Sequence, residues 1–397
     1  MKLLVVCQYY KPEPFRLSDL CETLVQMGHE VLVVTGTPNY PEGEVYPGYE
    51  NGARADETVD GVRVHRCPIH PRKKGPVHRF WNYYSFRSAS RRYLRRLEED
   101  FDAVFVYQLS PLMMAEGALE WAERHGKPCL LYCLDLWPES LTTGGIRAGS
   151  LVYRYYLGVS RSIYRRADNI LLSSRGFARY FRETLGIGDE KLAVLSQYAE
   201  EAFDGVPAPQ LHEAPYRFLF AGNIGVVQSV ETIIEAARLL ENDGRIRFDI
   251  VGDGSELERC RKLAEDLSNV TFYGRRDVGE MPAFYTKADA MLVTLKNDPV
   301  ISYTLPGKVQ SYMAAGRAVV GAVGGAAADE VRAADCGLCA GAEDAAGLAE
   351  IVRGLADRPE EFLRLGENAR RHYRNTFTKD IFFENLTRQL EDATKAR

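Results

Sequence analysis

Short apolar runs alternate with helix-period segments along this chain of 397 residues. The first run, residues 2–8, precedes a segment whose apolar positions (Leu17, Leu20, Cys21, Leu24) have the i, i+3, i+4, i+7 spacing of one helix face. Similar runs of strand length follow at 30–36, 62–67, 103–108, 128–135 and 169–173. Because these runs are rich in Val and Leu and rarely alternate with polar residues, they predict parallel strands covered by helices on both faces.

A second cycle of the same pattern begins at Tyr216. Its apolar runs are YRFLFAGNIG, IRFDIVGDGS, VTFYGR, AMLVTL and AVVGAV, with helix-period segments between them, the first at about 228–241. Residues 204–215, rich in proline and polar groups, predict a linker between the two cycles. The pattern therefore predicts two doubly wound α/β domains facing one another across a cleft, with ligands at the carboxyl ends of the strands. We expect these domains at 1–205 and 216–378, and a last helix within 379–397 that packs back on the first domain.

Composition narrows the class of protein. With 46% hydrophobic residues, 26% charged residues and a formal charge of -5, the chain is typical of a globular protein and not of a nucleic-acid-binding one. The amino-terminal MKLLVVCQYY predicts a first strand and no signal peptide. Most of the eight cysteines lie in apolar runs, which predicts reduced thiols and a cytoplasmic protein. Cys336 and Cys339 have a Cys-x-x-Cys spacing, but no second pair supports a metal site.

Two glycine-bearing turns are candidates for binding phosphate. In SYTLPGKVQSYMAAG (302–316), Pro306 and Gly307 lead into a helix-like segment whose first turn contains Lys308. The free N–H groups at a helix start attract anions, glycine lets a ligand approach the backbone, and Lys308 adds a positive charge. A second such turn is FAGNIGVVQ, residues 220–228. Together they predict a nucleotide diphosphate held between them, although a purely structural need for glycine explains either turn equally well.

Longer strings carry a family resemblance over essentially the whole chain. In the second half these are GNIG with QSVETIIEAA, VGDGSELE, NVTFYGR, FYTKADAMLVTL and TLPGKVQSYMAAGRAVVGAV; in the first half they are QYYKPEPFRLSDL, GHEVLVVTGTPNYPEGEVYPGY, GVRVHRCPI and CLDLWPESL. They resemble the family 4 retaining glycosyltransferases, and within that family the bacterial enzymes of O-antigen, capsule and exopolysaccharide synthesis, including the fucosamine transferases.

The resemblance implies a GT-B fold with the acceptor on the first domain and the nucleotide sugar in the second. It implies a metal-independent transfer, with retention, of a hexosyl or N-acetylhexosaminyl group from a UDP-sugar to a saccharide acceptor carried on a polyprenyl diphosphate. The nucleotide sugar is the substrate, and no cofactor is expected. Without a metal, backbone N–H groups and basic side chains must neutralise the departing diphosphate.

Several positions depart from the family pattern. Asn223 and Gln228 stand where many relatives have an Arg and a Lys, and Tyr303 and Ser311 stand where they have two glutamates for the sugar and the ribose. Ala326 follows Gly325 where the resembling subgroup has a glutamate. We therefore expect Lys308, helped by Arg275 or Arg276, to supply part of the missing positive charge.

The resemblance assigns candidate residues on both domains. We expect Lys308 and Asp135 to be catalytic, Asp135 because it ends the apolar run 128–135, although such an aspartate is often only a helix cap. Glu13, Arg16 and Glu139 are expected on the acceptor side, with a helix-surface charge (Arg16) and a capping residue (Glu139) as alternatives. The expected donor-binding residues are Gly222, Asn223, Gly225, Gln228, Gly274, Arg275, Tyr303, Thr304, Leu305, Pro306, Gly307 and Ser311.

A basic and aromatic stretch, residues 71–97, contrasts with the acidic chain. Its cations are Arg72, Lys73, Lys74, Arg79, Arg87, Arg91, Arg92, Arg95 and Arg96, and its aromatic residues include Phe80, Trp81, Tyr83 and Tyr84. Cations beside aromatic rings predict peripheral contact with anionic lipid at the cytoplasmic face of the inner membrane. The alternative is a solvated helix face, and nucleic acid is not an expected partner.

Two other functions fit parts of the pattern. A dinucleotide-dependent dehydrogenase has two similar halves, but Val6 is followed by CQYYKP where a Gly-x-Gly-x-x-Gly turn would be needed. A catalytically silent nucleotide-sugar-binding subunit of a polysaccharide assembly complex is compatible with the missing Arg, Lys and Glu residues.

Overall fold

The computed structural model describes residues 1–73, 75–142 and 145–397, which form two compact units. Unit 1 comprises 1–173, 177–195 and 386–397, and unit 2 comprises 174–176 and 196–385. The last helix contributes residues to both units.

Unit 1 is built on an eight-stranded sheet in the order β3-β4-β2-β1-β5-β6-β7-β8, in which only the β3–β4 pair is antiparallel among the described strands. The strands are β1 (Lys2–Val6), β2 (Glu30–Gly36), β3 (Asp56–Val59), β4 (Val62–Cys67), β5 (Ala103–Gln108), β6 (Cys129–Cys133), β7 (Asn169–Leu172) and β8 (Leu192–Val194). Its helices are α1 (Leu17–Gln26), α2 (Pro76–Leu94), α3 (Glu116–His125), α4 (Leu151–Arg166) and α5 (Gly176–Tyr180).

Unit 2 is built on a six-stranded parallel sheet in the order β11-β10-β9-β12-β13-β14. The strands are β9 (Tyr216–Ala221), β10 (Ile246–Val251), β11 (Val270–Gly274), β12 (Ala290–Thr294), β13 (Ala318–Ala322) and β14 (Gly337–Ala340). The helices are α6 (Val230–Leu239), α7 (Leu257–Leu263), α8 (Met281–Lys287), α9 (Gly307–Ala314), α10 (Gly325–Ala333), α11 (Ala345–Ala356), α12 (Glu360–Thr376) and α13 (Lys379–Lys395), the last shared with unit 1.

Burial explains why the apolar runs form central strands. Every residue of β5 and β6, and all but the first of β1, is buried, as expected for parallel strands with helices on both faces. In unit 2, β9 is the strand where the winding direction changes, because β10 lies on one side of it and β12 on the other. The loop after β9 therefore lies at the switch point of the sheet, the usual place for a ligand. The prediction of two doubly wound α/β domains is confirmed.

Candidate functional site

The loop after β9 is held close to the loop after β10. Gly222 has a φ of 138° and Gly252 a φ of 146°, both in the region that favours glycine. A Cβ at Gly252 would overlap the carbonyl oxygen of Gly222, so no larger residue fits there. The glycines of these two turns therefore have a packing role, whatever ligand they also admit.

Asn223 and Gln228, which replace two expected cations, bond to each other. The Asn223 side-chain nitrogen donates to the Gln228 carboxamide oxygen over 3.0 Å. A Cβ at Gly225 would lie 2.7 Å from the Asn223 nitrogen, so Gly225 is needed to let these side chains meet. The turn is thus closed by a neutral pair where relatives are expected to have two positive charges.

Lys308 occupies the first turn of α9, and its ammonium group is buried beside the same turn. A Cβ built on Gly222 would lie 3.1 Å from Lys308 Nζ, and Nζ lies 3.7 Å from the centroid of the Phe220 ring. Nζ is shielded from water and has no hydrogen-bond partner among the described residues. Burial lowers the pKa of Lys308 to about 7. An ammonium with three unused donors is costly to bury, and an anionic ligand would satisfy it.

The segment that leads into α9 is a helical turn followed by a short extended stretch. A helical turn at Ile301–Tyr303 is followed by Thr304, and Pro306 directly precedes α9. Leu305 packs against the core of unit 2. Gly307 begins α9, and the exposed start of this helix has no side-chain cap. Its first N–H groups therefore lack a capping side chain, as the sequence predicted for a phosphate site.

Ser311, one turn further along α9, contacts a carboxylate that the sequence did not single out. The Ser311 hydroxyl donates to Glu200 Oε2 over 3.1 Å. Glu200 is half-buried and precedes the helical turn Glu201–Phe203. Because Ser311 stands where the resemblance implies a ribose-binding glutamate, a carboxylate is present near that position after all, supplied by a residue 111 positions earlier.

A cavity of about 400 Å³ opens in unit 2 beside the turn that follows β9. Its walls include Gly222 and Asn223 of the first turn, Asp253 of the second, and Arg275 and Arg276 after β11. Gly274 ends β11 with a φ of 68° and accepts from the Gly252 N–H, so it fixes the backbone from which the two arginines project. Phosphate-neutralising candidates from three neighbouring strands thus meet at one edge of the sheet.

Ala326 lies in the first turn of α10, which begins at Gly325. Gly325 has a φ of 59°, and a Cβ there would overlap the carbonyl oxygen of Ser302. The start of α10 therefore packs against the segment that leads to α9. A carboxylate at position 326 would lie at this helix start, where the chain instead has a methyl group.

Asp135 lies two residues beyond β6 and lines a second cavity, of about 560 Å³, within unit 1. Burial raises the pKa of Asp135, while hydrogen bonds from Ser110 oppose the rise. Aromatic rings form most of this cavity: Tyr9, Phe15, Tyr40, Phe80, Tyr83, Tyr84, Trp137 and Tyr156. Arg72 and Arg79 line it as well.

The other candidates of unit 1 are committed to internal contacts. Glu13 is 2% exposed, and its carboxylate accepts from the N–H groups of Tyr10, Asn39 and Tyr40. Burial raises the pKa of Glu13 to about 7, although these donors oppose the rise. Both carboxylate oxygens of Glu13 thus accept backbone hydrogen bonds and tie its loop to the loop that contains Asn39 and Tyr40.

Glu139 is similarly enclosed. It begins the helical turn Glu139–Leu141, is 6% exposed, and accepts from the hydroxyls of Tyr153 and Tyr180, the latter over 2.8 Å. Arg16 is the half-buried residue that precedes α1. Glu139 therefore joins α4 and α5 to the loop after β6, which accounts for it structurally.

The basic stretch forms α2, and its carboxyl-terminal arginines face α3. Arg87 Nε donates to Glu116 over 2.7 Å, and Arg91 Nε donates to Glu120 over 2.7 Å. Arg95 also reaches Glu120, over 3.3 Å. Lys74 lies outside the described residues. These three arginines are therefore each paired with a glutamate of α3 within unit 1, and their contact with a lipid surface stays a prediction.

The cysteines are free thiols, and seven of the eight are buried. Burial raises the pKa of Cys339 to about 11 and that of Cys336 further. Over the described ranges, no three His, Cys, Asp or Glu side chains are grouped as metal ligands would be. In the same part of the chain, every helix is too short or too polar to cross a bilayer.

Comparison with known proteins agrees with this architecture. Residues 15–197 match the family described as "Glycosyl transferase 4-like domain", and residues 206–372 match "Glycosyl transferases group 1". The chain is 28% identical over 339 residues to WcaI of Escherichia coli K12, a protein named for glycosyl transfer in colanic acid biosynthesis; the match covers 80% of this chain and 82% of WcaI.

Solved structures share the fold at low identity. Sucrose-phosphate synthase of Thermosynechococcus elongatus superposes with a TM-score of 0.75 at 17% identity, covering 99% of each chain. HepE of Anabaena, solved with UDP and glucose, gives a TM-score of 0.69 at 15% identity, covering 98% of this chain and 99% of that one. The two family matches, together with the relationship to WcaI, identify this chain as a family 4 glycosyltransferase with the GT-B fold.

Proposed function

We propose that this glycosyltransferase moves a hexosyl or N-acetylhexosaminyl group, with retention, from a UDP-sugar to a saccharide carried on a polyprenyl diphosphate. The pathway we propose is bacterial surface polysaccharide synthesis, which the name of WcaI supports. The choice of UDP is supported by HepE, whose structure holds UDP and glucose.

The proposed donor site is supported mainly by Lys308, whose buried ammonium group has no hydrogen-bond partner among the described residues. It lies beside the Gly222 turn, which forms one wall of the 400 Å³ cavity. A diphosphate bound here would accept hydrogen bonds from the Lys308 ammonium group and from the free N–H groups at the start of α9. Arg275 and Arg276 would add two further charges from the opposite loop, which compensates for the neutral Asn223–Gln228 pair.

This arrangement suits a leaving group that gains negative charge. Donors that are already oriented stabilise charge developing on the diphosphate at little reorganisation cost, so neither a metal nor a cofactor is needed in the proposed reaction. Protonated Lys308 would neutralise the phosphate, and the leaving phosphate would take the proton of the acceptor hydroxyl.

Two carboxylates have proposed supporting roles. Glu200, bonded to Ser311, would accept hydrogen bonds from the ribose hydroxyls in place of the missing glutamate. Asp135 would orient the acceptor in unit 1, since it lines the aromatic cavity of that unit.

We also propose that unit 1 contacts the cytoplasmic face of the membrane. The amino-terminal part of α2 exposes Val77, Phe80 and Trp81, and that of α4 exposes Leu151, Val152 and Tyr155. Tyr84 of α2 and Tyr156 of α4 join their hydroxyls over 3.0 Å, so the two helices present these side chains from adjoining positions. Exposed apolar groups among cations are typical of an interfacial surface.

A panel of nucleotide sugars tests the donor proposal. We expect UDP-sugars to raise the melting temperature more than GDP-sugars or NAD, and slow hydrolysis of the preferred sugar in the presence of EDTA. Nuclear magnetic resonance of the first product formed should show the same anomeric configuration at the transferred sugar as in the donor. Tight NAD binding without UDP binding would contradict the proposal, and UDP-sugar binding without release of sugar would favour the silent-subunit alternative.

A further inference from the structure

The 560 Å³ cavity of unit 1 has two walls of contacting aromatic rings. In one wall, Tyr9 stacks on Phe15 with centroids 4.8 Å apart, and Tyr40 lies 5.2 Å from Phe15. In the other, Phe80 and Tyr84 lie 4.4 Å apart. Trp137 and Tyr156, with centroids 4.8 Å apart, continue the second wall. Most of the cavity surface is therefore hydrocarbon and ring faces, which suits an apolar ligand.

The polar groups of the cavity include a serine pair, Asp135 and two arginines. Ser110 donates to the Ser140 hydroxyl over 2.9 Å and also bonds to Asp135, so these three groups form one cluster. Arg72 and Arg79 have no carboxylate within ion-pair distance in the described parts of the chain. Arg72 instead lies over the rings of Tyr40 and Tyr83, 5.5 and 5.9 Å from their centroids.

A free sugar does not match this lining. Saccharide hydroxyls need many hydrogen-bonding partners, and most of the lining of this cavity is apolar. Two guanidinium groups beside aromatic walls, neither with a carboxylate partner among the described residues, match an amphiphile with an anionic head, because arginine binds phosphate through several N–H donors at once.

The cavity is reached from an apolar part of the protein surface. Phe80 and Val152 line the cavity and are also 46% and 49% exposed. Trp81 and Leu151, their neighbours in sequence, are 56% and 84% exposed. A hydrocarbon chain could thus pass from a lipid surface into the cavity along these exposed apolar side chains.

We propose that this cavity binds the lipid carrier of the acceptor, a single-chain prenyl phosphate or diphosphate, with its phosphate on Arg72 and Arg79 and its first isoprene units between the aromatic walls. This rests on the proposed function, in which the acceptor is lipid-linked. The acceptor sugar, attached to the phosphate, then lies near Asp135.

Calorimetry of the full-length protein with short soluble probes tests this assignment. Geranyl phosphate should bind, while geraniol and inorganic phosphate, each lacking one half of the amphiphile, should each bind at least about tenfold more weakly. Arg72→Gln combined with Arg79→Gln should weaken geranyl phosphate binding by at least about tenfold. The matched variant, Arg147→Gln with Arg154→Gln, changes two exposed arginines that do not line the cavity and should bind like the parent.

Three results would overturn the assignment. They are equal binding of inorganic phosphate, equal or tighter binding of a short two-chain phosphatidic acid, and an unchanged affinity in the Arg72/Arg79 variant. UDP binding is measured on the same samples: failure of geranyl phosphate with UDP binding intact rejects the lipid cavity alone, whereas failure of UDP binding rejects the proposed function.

Discussion

At the residue scale, Lys308 is the most informative side chain of unit 2. Its ammonium group is buried with no hydrogen-bond acceptor in the described structure, and it lies 3.7 Å from the centroid of the Phe220 ring. A cation–π contact offsets part of the loss of hydration, but the three N–H donors stay unused. A residue that costs stability in the empty protein is expected where a ligand supplies the missing partner.

Lys308→Met should therefore stabilise the protein without ligand. Replacing the buried amine by an apolar side chain of similar length should raise the free energy of unfolding by about 1–3 kcal/mol near pH 7, measured by urea denaturation. Lys287→Met, which changes an exposed lysine of α8, is the control and should have little effect. A clearly less stable Lys308→Met protein would show that the ammonium stabilises the empty fold.

The lowered pKa of Lys308 predicts that nucleotide binding takes up a proton. Burial lowers this pKa from 10.5 to about 7, and a bound diphosphate would raise it again. Affinity for UDP should then be constant below pH 7 and fall as the pH rises above it, because binding must protonate a neutral amine. Titrations in buffers of different ionisation enthalpy should show the uptake, and Lys308→Met should lose it, which separates it from titration of UDP itself.

The lowered pKa of Lys308 also makes the stability of the ligand-free protein depend on pH. Stability should rise with pH, whereas UDP affinity should fall. Between pH 7 and 10.5 the unfolded chain binds a proton at Lys308 that the folded chain does not. Stability of the ligand-free protein therefore gains from this group as pH rises through that window, and the Lys308→Met variant should not show this gain.

At the element scale, α2 has two different halves. Its carboxyl-terminal arginines are paired with glutamates of α3, and its amino-terminal part exposes apolar side chains beside those of α4. The sequence showed the cations and aromatic residues but not this division, because Glu116 and Glu120 lie more than twenty positions beyond their partners.

Binding to anionic vesicles should therefore depend on the apolar ends of the two helices. Trp81→Ser with Leu151→Ser should weaken sedimentation with phosphatidylglycerol vesicles by at least about tenfold, because two large apolar groups lose their burial in lipid. Val278→Ser with Leu239→Ser, which changes two exposed apolar residues of unit 2, should have no effect. The surface is wrongly placed if Arg91→Gln with Arg95→Gln abolishes vesicle binding while the apolar variant retains it.

Most central elements could be predicted from the apolar pattern. The runs at 30–36 and 103–108 coincide with β2 and β5, and the helix expected at about 228–241 is α6 at Val230–Leu239. The edge strand β3, with the sequence DETV, could not be predicted because its residues are mostly polar and partly exposed. The apolar pattern predicts which positions are buried, and no residue of this edge strand is fully buried.

The candidate site was predictable where local spacing defines it. Gly307 and Lys308 could be found because a turn and a helix start are adjacent in sequence, and Asp135 because it follows a strand. Glu200 could not be found, since its contact with Ser311 joins residues 111 positions apart. Glu13 and Glu139 were expected on the acceptor side from the sequence, but only the folded structure shows which N–H and O–H groups donate to them.

At the scale of the whole molecule, each unit has its own cavity with its own chemistry. The cavity of unit 2 is bordered by glycine turns and arginines, and that of unit 1 by aromatic rings and two arginines. Donor and acceptor functions should therefore be separable by substitution.

Arg72→Gln with Arg79→Gln, in unit 1, should abolish most transfer to a lipid-linked acceptor while leaving UDP affinity and slow hydrolysis of the UDP-sugar unchanged. The reason is that hydrolysis needs the donor site and water, whereas transfer also needs the lipid-linked acceptor. Initial rates of transfer and of hydrolysis, measured on the same preparation, check this. Equal loss of both activities would mean that the two cavities do not act separately.

The most direct test of the account is the affinity of UDP for the wild-type protein and for Lys308→Met, measured by calorimetry near pH 7 with Lys287→Met as control. The account predicts that Lys308→Met weakens UDP binding by about 1–3 kcal/mol, the value of a lost charged hydrogen bond, while Lys287→Met binds like wild type. A folded Lys308→Met protein that binds UDP as tightly as wild type would contradict the claim that this buried ammonium holds the diphosphate.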